Sequence, residues 1–156
     1  MSALFLKRLC PFAESINKEL LELAESVDFC KSYQTNLMCK MSGWRMQENA
    51  RIQALTFWAE NLVCQNYKVT SARCLEVWVA RYDFDDYAKE HNHRGCQFSF
   101  VYFANTPKGS APLCFTDSEI TAEAGQLVLF DSAENHSVPK NNCENRLVVA
   151  GNIWAN

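Results

Sequence analysis

Three histidines and one arginine carry the chemistry that this sequence can support. His91, His93 and His136 are the only histidines among 156 residues, and they fall as His-Asn-His plus one distant partner. Neutral imidazole is a ligand for transition metals, so a chain that gathers all its imidazoles into one His-x-His…His pattern points to a metal site. Arg146 follows the third histidine by ten residues. Its planar guanidinium pairs bidentately with carboxylates, which suggests a dicarboxylate beside the metal.

Such a constellation needs a scaffold that brings distant segments together. In a strand, residues two apart project to one face, so His91 and His93 converge if their segment is extended. His136 lies in a polar segment after the strand expected to end at Phe130, and Arg146 opens the last strand, with Val148, Ala150 and Asn152 on its face. The second half supports this reading, because after Val69 the apolar period is two. Leu75, Val77 and Val79 alternate with Glu76, Trp78 and Ala80 over Cys74 to Tyr82. Further strands are expected at Phe98 to Ala104, Pro112 to Phe115, Gln126 to Phe130 and Arg146 to Trp154. Pro107-Lys108-Gly109, Ala124-Gly125 and Asn141-Asn142 supply the turns.

The first half reads helical. Pro11 suits a first turn, and Phe12, Ile16, Leu20, Leu23 and Val27 recur at helix spacing. A loop from Tyr33 to Trp44 turns at Ser42-Gly43, and a second helix runs from Glu48 to Asn66 with Ile52, Leu55, Ala59 and Leu62 on one stripe. Helices followed by many antiparallel strands give an α+β fold in which a sandwich or jelly roll carries the site. One domain is expected, residues 1–68 mainly helical support and 69–156 the strand core.

Composition narrows the function. A net charge of -3 gives no reason to expect nucleic acid or an anionic membrane as partner. No run of eighteen apolar residues suggests a membrane span, and the apolar stretch Ala3 to Leu6 precedes its charges and is too short for a secretory signal. The chain therefore reads as intracellular and cytoplasmic. Its eight cysteines lack CxxC spacing and read as reduced, small buried hydrophobes; Cys96 lies three residues after His93. Asp83, Asp85, Asp86 and Glu90 read as a solvated loop, and Asp131 as a candidate acceptor for a histidine N–H. Trp44, Trp78 and Phe103 are candidates to line a pocket, with core packing the preferred reading for each. Three protein ligands on one side of an octahedral ion would leave three positions for substrate and oxygen, as in the facial triad of non-haem iron(II) enzymes.

Taken together, Tyr82…His91-Asn-His93…Phe98-Ser-Phe-Val-Tyr-Phe-Ala…Pro112-Leu-Cys-Phe…Gly125-Gln-Leu-Val-Leu-Phe…His136-Ser-Val-Pro…Arg146 resembles the Fe(II)- and 2-oxoglutarate-dependent oxygenase superfamily. It is most similar to small oxygenases with an HxH first motif, including ones carried by phages of marine cyanobacteria. The resemblance covers Arg73 to Trp154 and continues more weakly through Met38 to Leu62, where Ser42-Gly-Trp44 looks like a family feature. It implies a double-stranded β-helix, or jelly roll, with N-terminal helices packed on the major sheet. It further implies His91, His93 and His136 as iron ligands and Arg146 as the grip on the distal carboxylate of 2-oxoglutarate, with Tyr82 and Ser99 along the cosubstrate. The implied reaction couples oxidative decarboxylation, which yields succinate and carbon dioxide, to hydroxylation of an unidentified small molecule or protein side chain.

Two departures from the family pattern stand out. A histidine replaces the common carboxylate ligand, and Val148 stands where a hydroxyl residue often follows the arginine by two. A cupin-type three-histidine enzyme that does not use 2-oxoglutarate is the alternative, although Gln97 stands where cupins place a glutamate. A degenerate fold acting as a binding module is the third. The sequence does not specify the oligomeric state.

Overall fold

Strand residues alternate between faces, and here both faces of the central strands are buried, so each strand must be covered twice. The computed structural model describes residues 5–31 and 35–156; Ala3 and Leu4 of the N-terminal apolar stretch, and Tyr33 of the expected loop, lie outside the described residues. The elements run β1 (Phe5–Leu9), α1 (Ala13–Ser26), β2 (Cys30–Lys31), β3 (Leu37–Met38) and β4 (Lys40–Met41). A 3-10 turn at Met46–Glu48 leads into α2 (Ala50–Asn66). The remainder is β5 (Ala72–Tyr82), β6 (Tyr87–His91), β7 (Phe98–Asn105), β8 (Leu113–Phe115), β9 (Glu119–Ile120), β10 (Gln126–Asp131), β11 (His136–Val138) and β12 (Arg146–Ala155).

Among the described residues these strands make two antiparallel sheets, ordered β1-β10-β7-β12-β5-β4-β2 and β3-β6-β11-β8-β9. The α+β expectation holds, with the helices on one face of the larger sheet. Ile16, Leu20 and Leu23 of α1 and Ile52, Leu55, Ala59 and Leu62 of α2 pack on Val77, Val79, Phe100, Tyr102, Leu129 and Val149. Residues of the opposite parity, Trp78, Ala80, Tyr82, Phe103, Val128, Phe130, Val148 and Ala150, meet Ala88, Leu113, Phe115 and Val138 of the smaller sheet. Each large side chain so buried contributes about 1.5–3 kcal/mol. Asn49 caps α2, its side chain accepting from the Arg51 N–H at 2.9 Å, as an N-cap asparagine should.

The helical half also supplies strands. β1 pairs with β10 from Phe5↔Phe130 to Leu9↔Gln126, so the apolar residues Phe5 and Leu6 belong to an edge strand. Within the expected 33–44 loop, β4 pairs with β5 and β3 with β6. Ser42 continues the first pairing, donating its N–H to the Val79 carbonyl and accepting the Val79 N–H on Oγ.

One asparagine fastens the loop that leads into β12. Buried Asn141 accepts the Ala111 N–H at 2.9 Å on its side-chain oxygen and donates Nδ2 to the carbonyls of Tyr82, Asp83 and Cys143. Gly109 takes φ +96° with Asn142 pressed against it, where a side chain would collide with the Asn142 carbonyl. Asn145, at φ 60°, turns the chain into β12, and its N–H donates to Asp83 at 2.9 Å. Replacing Asn141 leaves several buried backbone groups unpaired, each worth about 1–3 kcal/mol. Asn141→Ala is therefore expected to lower the unfolding free energy by about 2–4 kcal/mol in urea denaturation; a loss under about 1 kcal/mol would show that the loop holds without it.

Candidate metal centre

The three histidines meet at one end of the space between the sheets. β6 and β11 are neighbours with His91 directly opposite His136, so sheet pairing alone brings two imidazoles together. His93 arrives differently from expectation: β6 ends at His91, and His93 follows in irregular chain whose N–H donates to the Ser132 carbonyl at 2.8 Å. The pair converges because the chain leaves the strand, not because strand alternation continues through it. The nitrogens of His91, His93 and His136 lie within 4.8 Å of one another, with ring centroids 4.9, 4.3 and 5.1 Å apart.

Backbone carbonyls orient two of these rings. His91 Nδ1 lies 2.6 Å from the Lys89 carbonyl, and His136 Nδ1 lies 3.0 Å from the Glu134 carbonyl. A carbonyl only accepts, so both Nδ1 atoms carry the proton, which leaves each Nε2 lone pair for a metal. Asp131 does not take the orienting role considered for it; it is exposed and caps its own turn by accepting the Ala133 N–H. Burial lowers the pKa of all three imidazoles. His93 falls to about 4 and His136 to about 3, with mutual repulsion adding to the lowering in both, while the Lys89 and Glu134 carbonyls oppose it at His91 and His136. All three are neutral at pH 7, the state that binds a metal.

Neither the acids nor Cys96 join this group. Asp86 is buried, against the expected solvated loop, and its carboxylate accepts the Asp83 N–H. Asp83 pairs with Arg81 and Lys40, and Arg81 and the Asn145 N–H hold its carboxyl below the usual value despite burial. Cys96 donates its thiol to the His93 and Phe98 carbonyls.

Arg146 closes the other end of a narrow slot that the histidines also line. It is 1% exposed. Its Nε donates to the Ala111 carbonyl at 2.9 Å, and the guanidinium lies 4.7 Å over the Tyr82 ring and 5.5 Å from that of Phe103. Both terminal nitrogens, Nη1 and Nη2, are buried without a hydrogen-bond partner. Burial pulls its pKa down, offset in part by Tyr82, Cys39 and Cys143, but a guanidinium starts so high that it stays charged. An unpaired buried cation is strongly unfavourable, and a carboxylate in the slot would meet both nitrogens at once.

Tyr82 is opposite Arg146 on β5. Its ring serves the guanidinium as a cation–π face, while its hydroxyl shares a hydrogen bond with the Cys39 thiol and burial raises its pKa well above the ordinary value. Ser99 is buried in the slot and donates to Asn152 Oδ1 at 2.9 Å. Sequence reasoning missed the hydrogen-bonding roles of Asn141 and Asn152, and it ranked the lining role of Trp44 below core packing. Trp44 is 48% exposed in an outer cleft that it shares with Trp78, so core packing fails for it and holds for Phe103.

No family model and no curated protein matches the chain. Solved structures do. The viral collagen prolyl hydroxylase from Paramecium Bursaria Chlorella virus-1, in complex with 2OG, superposes with a TM-score of 0.77 at 12% identity over 96% of this chain and 94% of that one. A Pseudomonas putida prolyl-4-hydroxylase gives 0.78 at 14% identity over 99% and 94%. HygX from Streptomyces hygroscopicus with nickel, 2-oxoglutarate and hygromycin B bound gives 0.74 at 12% identity over 98% and 83%. The chain therefore has the fold of these oxygenases.

The depressed histidine pKa values fix a pH dependence. In the unfolded chain these groups titrate near 6.5, so between about 6.5 and 4 the unfolded state binds more protons and stability falls as pH falls. The metal-free protein is expected to lose thermal stability across that window, and His136→Gln to show a shallower loss; equal slopes by calorimetry would contradict the neutral assignment.

Proposed function

We propose that the chain is a non-haem Fe(II)- and 2-oxoglutarate-dependent dioxygenase that hydroxylates a small molecule or protein side chain and releases succinate and carbon dioxide. The observation that carries this reading is the Arg146 guanidinium, buried with two unpaired nitrogens at one end of a slot whose other end holds the histidines. A ligand spanning that slot needs a carboxylate at one end and metal-binding oxygens at the other, which describes 2-oxoglutarate. The fold shared with oxygenases solved with 2OG supports the same choice. In finer detail we read the two facing sheets as a double-stranded β-helix and residues 1–156 as one domain.

His91, His93 and His136 would hold the iron. Neutral imidazoles suit Fe(II), and with no carboxylate ligand the ion keeps its full double charge, which favours a dianionic cosubstrate. Arg146 binds the distal carboxylate, Tyr82 stacks beneath the guanidinium, and Ser99 lines the slot beside the cosubstrate with its hydroxyl proton held by Asn152 Oδ1. Phe130, whose ring centroid lies 4.9 Å from that of His136, and Trp78, 5.7 Å from His93, exclude water from the ligand rings. Bound iron would supply the dioxygen chemistry that side chains cannot. A cupin-type centre leaves Arg146 without a partner, and Gln97 is occupied elsewhere, accepting the Ala155 N–H at 3.0 Å. Thiols at the seven described cysteines support a cytoplasmic setting. No helix among the described residues is long and apolar enough to cross a membrane.

Anaerobic titration with iron(II) and then 2-oxoglutarate tests the assignment. Wild-type protein is expected to develop the visible charge-transfer band of a chelated 2-oxo acid, and His136→Ala to lose iron binding. Arg146→Ala should bind 2-oxoglutarate at least about 30-fold more weakly, as befits about 2 kcal/mol or more for truncating a buried charge contact. Iron binding without a band in wild type would overturn the cosubstrate assignment.

A further inference from the structure

The inner slot is small, about 40 Å³, and beside it lies an outer cleft of about 400 Å³. Leu37, Trp78, His91 and His93 line both, so whatever fills the cleft lies against the histidines. Its walls include Trp44, Trp78 and Trp154, with Glu76 and Arg94 as its charged residues. The Trp44 and Trp78 rings lie 5.9 Å apart, inclined at 37°. Ligand sites are concave and lined largely by aromatic side chains, and half-exposed Trp44 with Trp78 supplies such a wall here.

Glu76 is placed by strand parity and by a chain of hydrogen bonds. On β5 it is one same-face step beyond Trp78, opposite Asn152 of β12. Asn152 Nδ2 donates to Glu76 Oε2 at 2.7 Å, and Ser99 donates to Asn152 Oδ1 at 2.9 Å. This chain fixes the carboxylate and leaves Oε1 for a ligand. Among the described residues no cation pairs with Glu76. Arg94 is fully on the exposed rim, where solvent screens its charge.

We infer that the outer cleft selects a substrate carrying an organic cation, an ammonium or guanidinium group, which Glu76 and the tryptophan rings receive. This rests on the oxygenase reading for what happens next to the bound group, but the charge preference is a property of the cleft itself. Tryptophan faces attract organic cations, and a carboxylate between them supplies the counter-charge. Arg146, opposite Tyr82, opens the β5–β12 ladder, and Glu76, opposite Asn152, lies about 20 Å further along it over six residues of strand. The site thus has a buried guanidinium at its deep end and a fixed carboxylate at its mouth, with Arg94 on the exposed rim, and an anionic cosubstrate and a cationic substrate sort themselves without exchanging places.

The test is a tryptophan-fluorescence titration of the metal-free full chain with Nα-acetyl-lysine-N-methylamide and Nα-acetyl-arginine-N-methylamide, with the uncharged Nε-acetyl-lysine derivative as comparison. Wild type should bind at least one cationic probe saturably and the neutral one at least tenfold more weakly. Glu76→Gln, which keeps an acceptor oxygen for Asn152, should lose tenfold or more in affinity for the cation. Absence of saturable binding by both cations, equal binding of the neutral probe, or an unchanged Glu76→Gln affinity would overturn the inference. The iron and 2-oxoglutarate band, recorded on the same two proteins, separates the two claims. A band in both with no charge preference sinks the cleft assignment alone. Charge preference without a band upholds the cleft and sinks the oxygenase reading.

Discussion

A guanidinium buried without an anion is the constraint around which the rest of this structure is arranged. Arg146 sits at the start of β12 between β5 and β7, with one backbone acceptor and two aromatic faces, and neither terminal nitrogen paired. Protein interiors do not tolerate such a group for stability's sake; it persists because the surrounding strands hold it there. The Asn141 bonds to four backbone groups on three segments fix the entry to β12, and β12 is paired along nearly its whole length on both sides. The unfavourable energy is confined to one side chain, and a carboxylate set against both terminal nitrogens would remove it.

Strand parity then arranges everything else along one axis. One face of the large sheet takes the helices and becomes ordinary core. The other carries Arg146 and Tyr82 at the deep end, Val148 and Ala80 next, Ala150 and Trp78 beside the histidines, and Asn152 and Glu76 at the mouth. The smaller sheet contributes His91 and His136 as direct cross-strand neighbours. The Arg146 guanidinium and the Glu76 carboxylate therefore share two strands, the histidines face them from the smaller sheet and the chain that follows it, and burial keeps the imidazoles neutral.

Much of this was legible in the sequence, and the rest was hidden for physical reasons. Long strands such as β5, β7 and β12 show their alternation, and α1 and α2 their apolar stripes, because each buries a whole face. The pattern of three histidines and an arginine was visible because these residue types are scarce and chemically committed. Of the strands of two or three residues only β8 was expected, within Pro112 to Phe115; β2, β3, β4, β9 and β11 are too short for any period, and only their pairing with other strands defines them. Asn141 looks like a turn residue from sequence, and its four bonds come from segments up to 59 residues away. Asp86 sits in an acidic run that suggests solvent, but the chain folds it inward. His93 reached the site by leaving the strand that alternation would have continued.

The most direct test of the account is the urea unfolding of metal-free wild type and Arg146→Met, each with and without 2-oxoglutarate and iron(II) under anaerobic conditions. If the guanidinium is an unpaired buried charge awaiting its ligand, the methionine variant is more stable than wild type without ligand, by about 1–3 kcal/mol. Ligand then stabilises wild type and leaves the 2-oxoglutarate response of the variant largely absent. A variant less stable than wild type without ligand, with an undiminished 2-oxoglutarate response, would contradict the account at its centre.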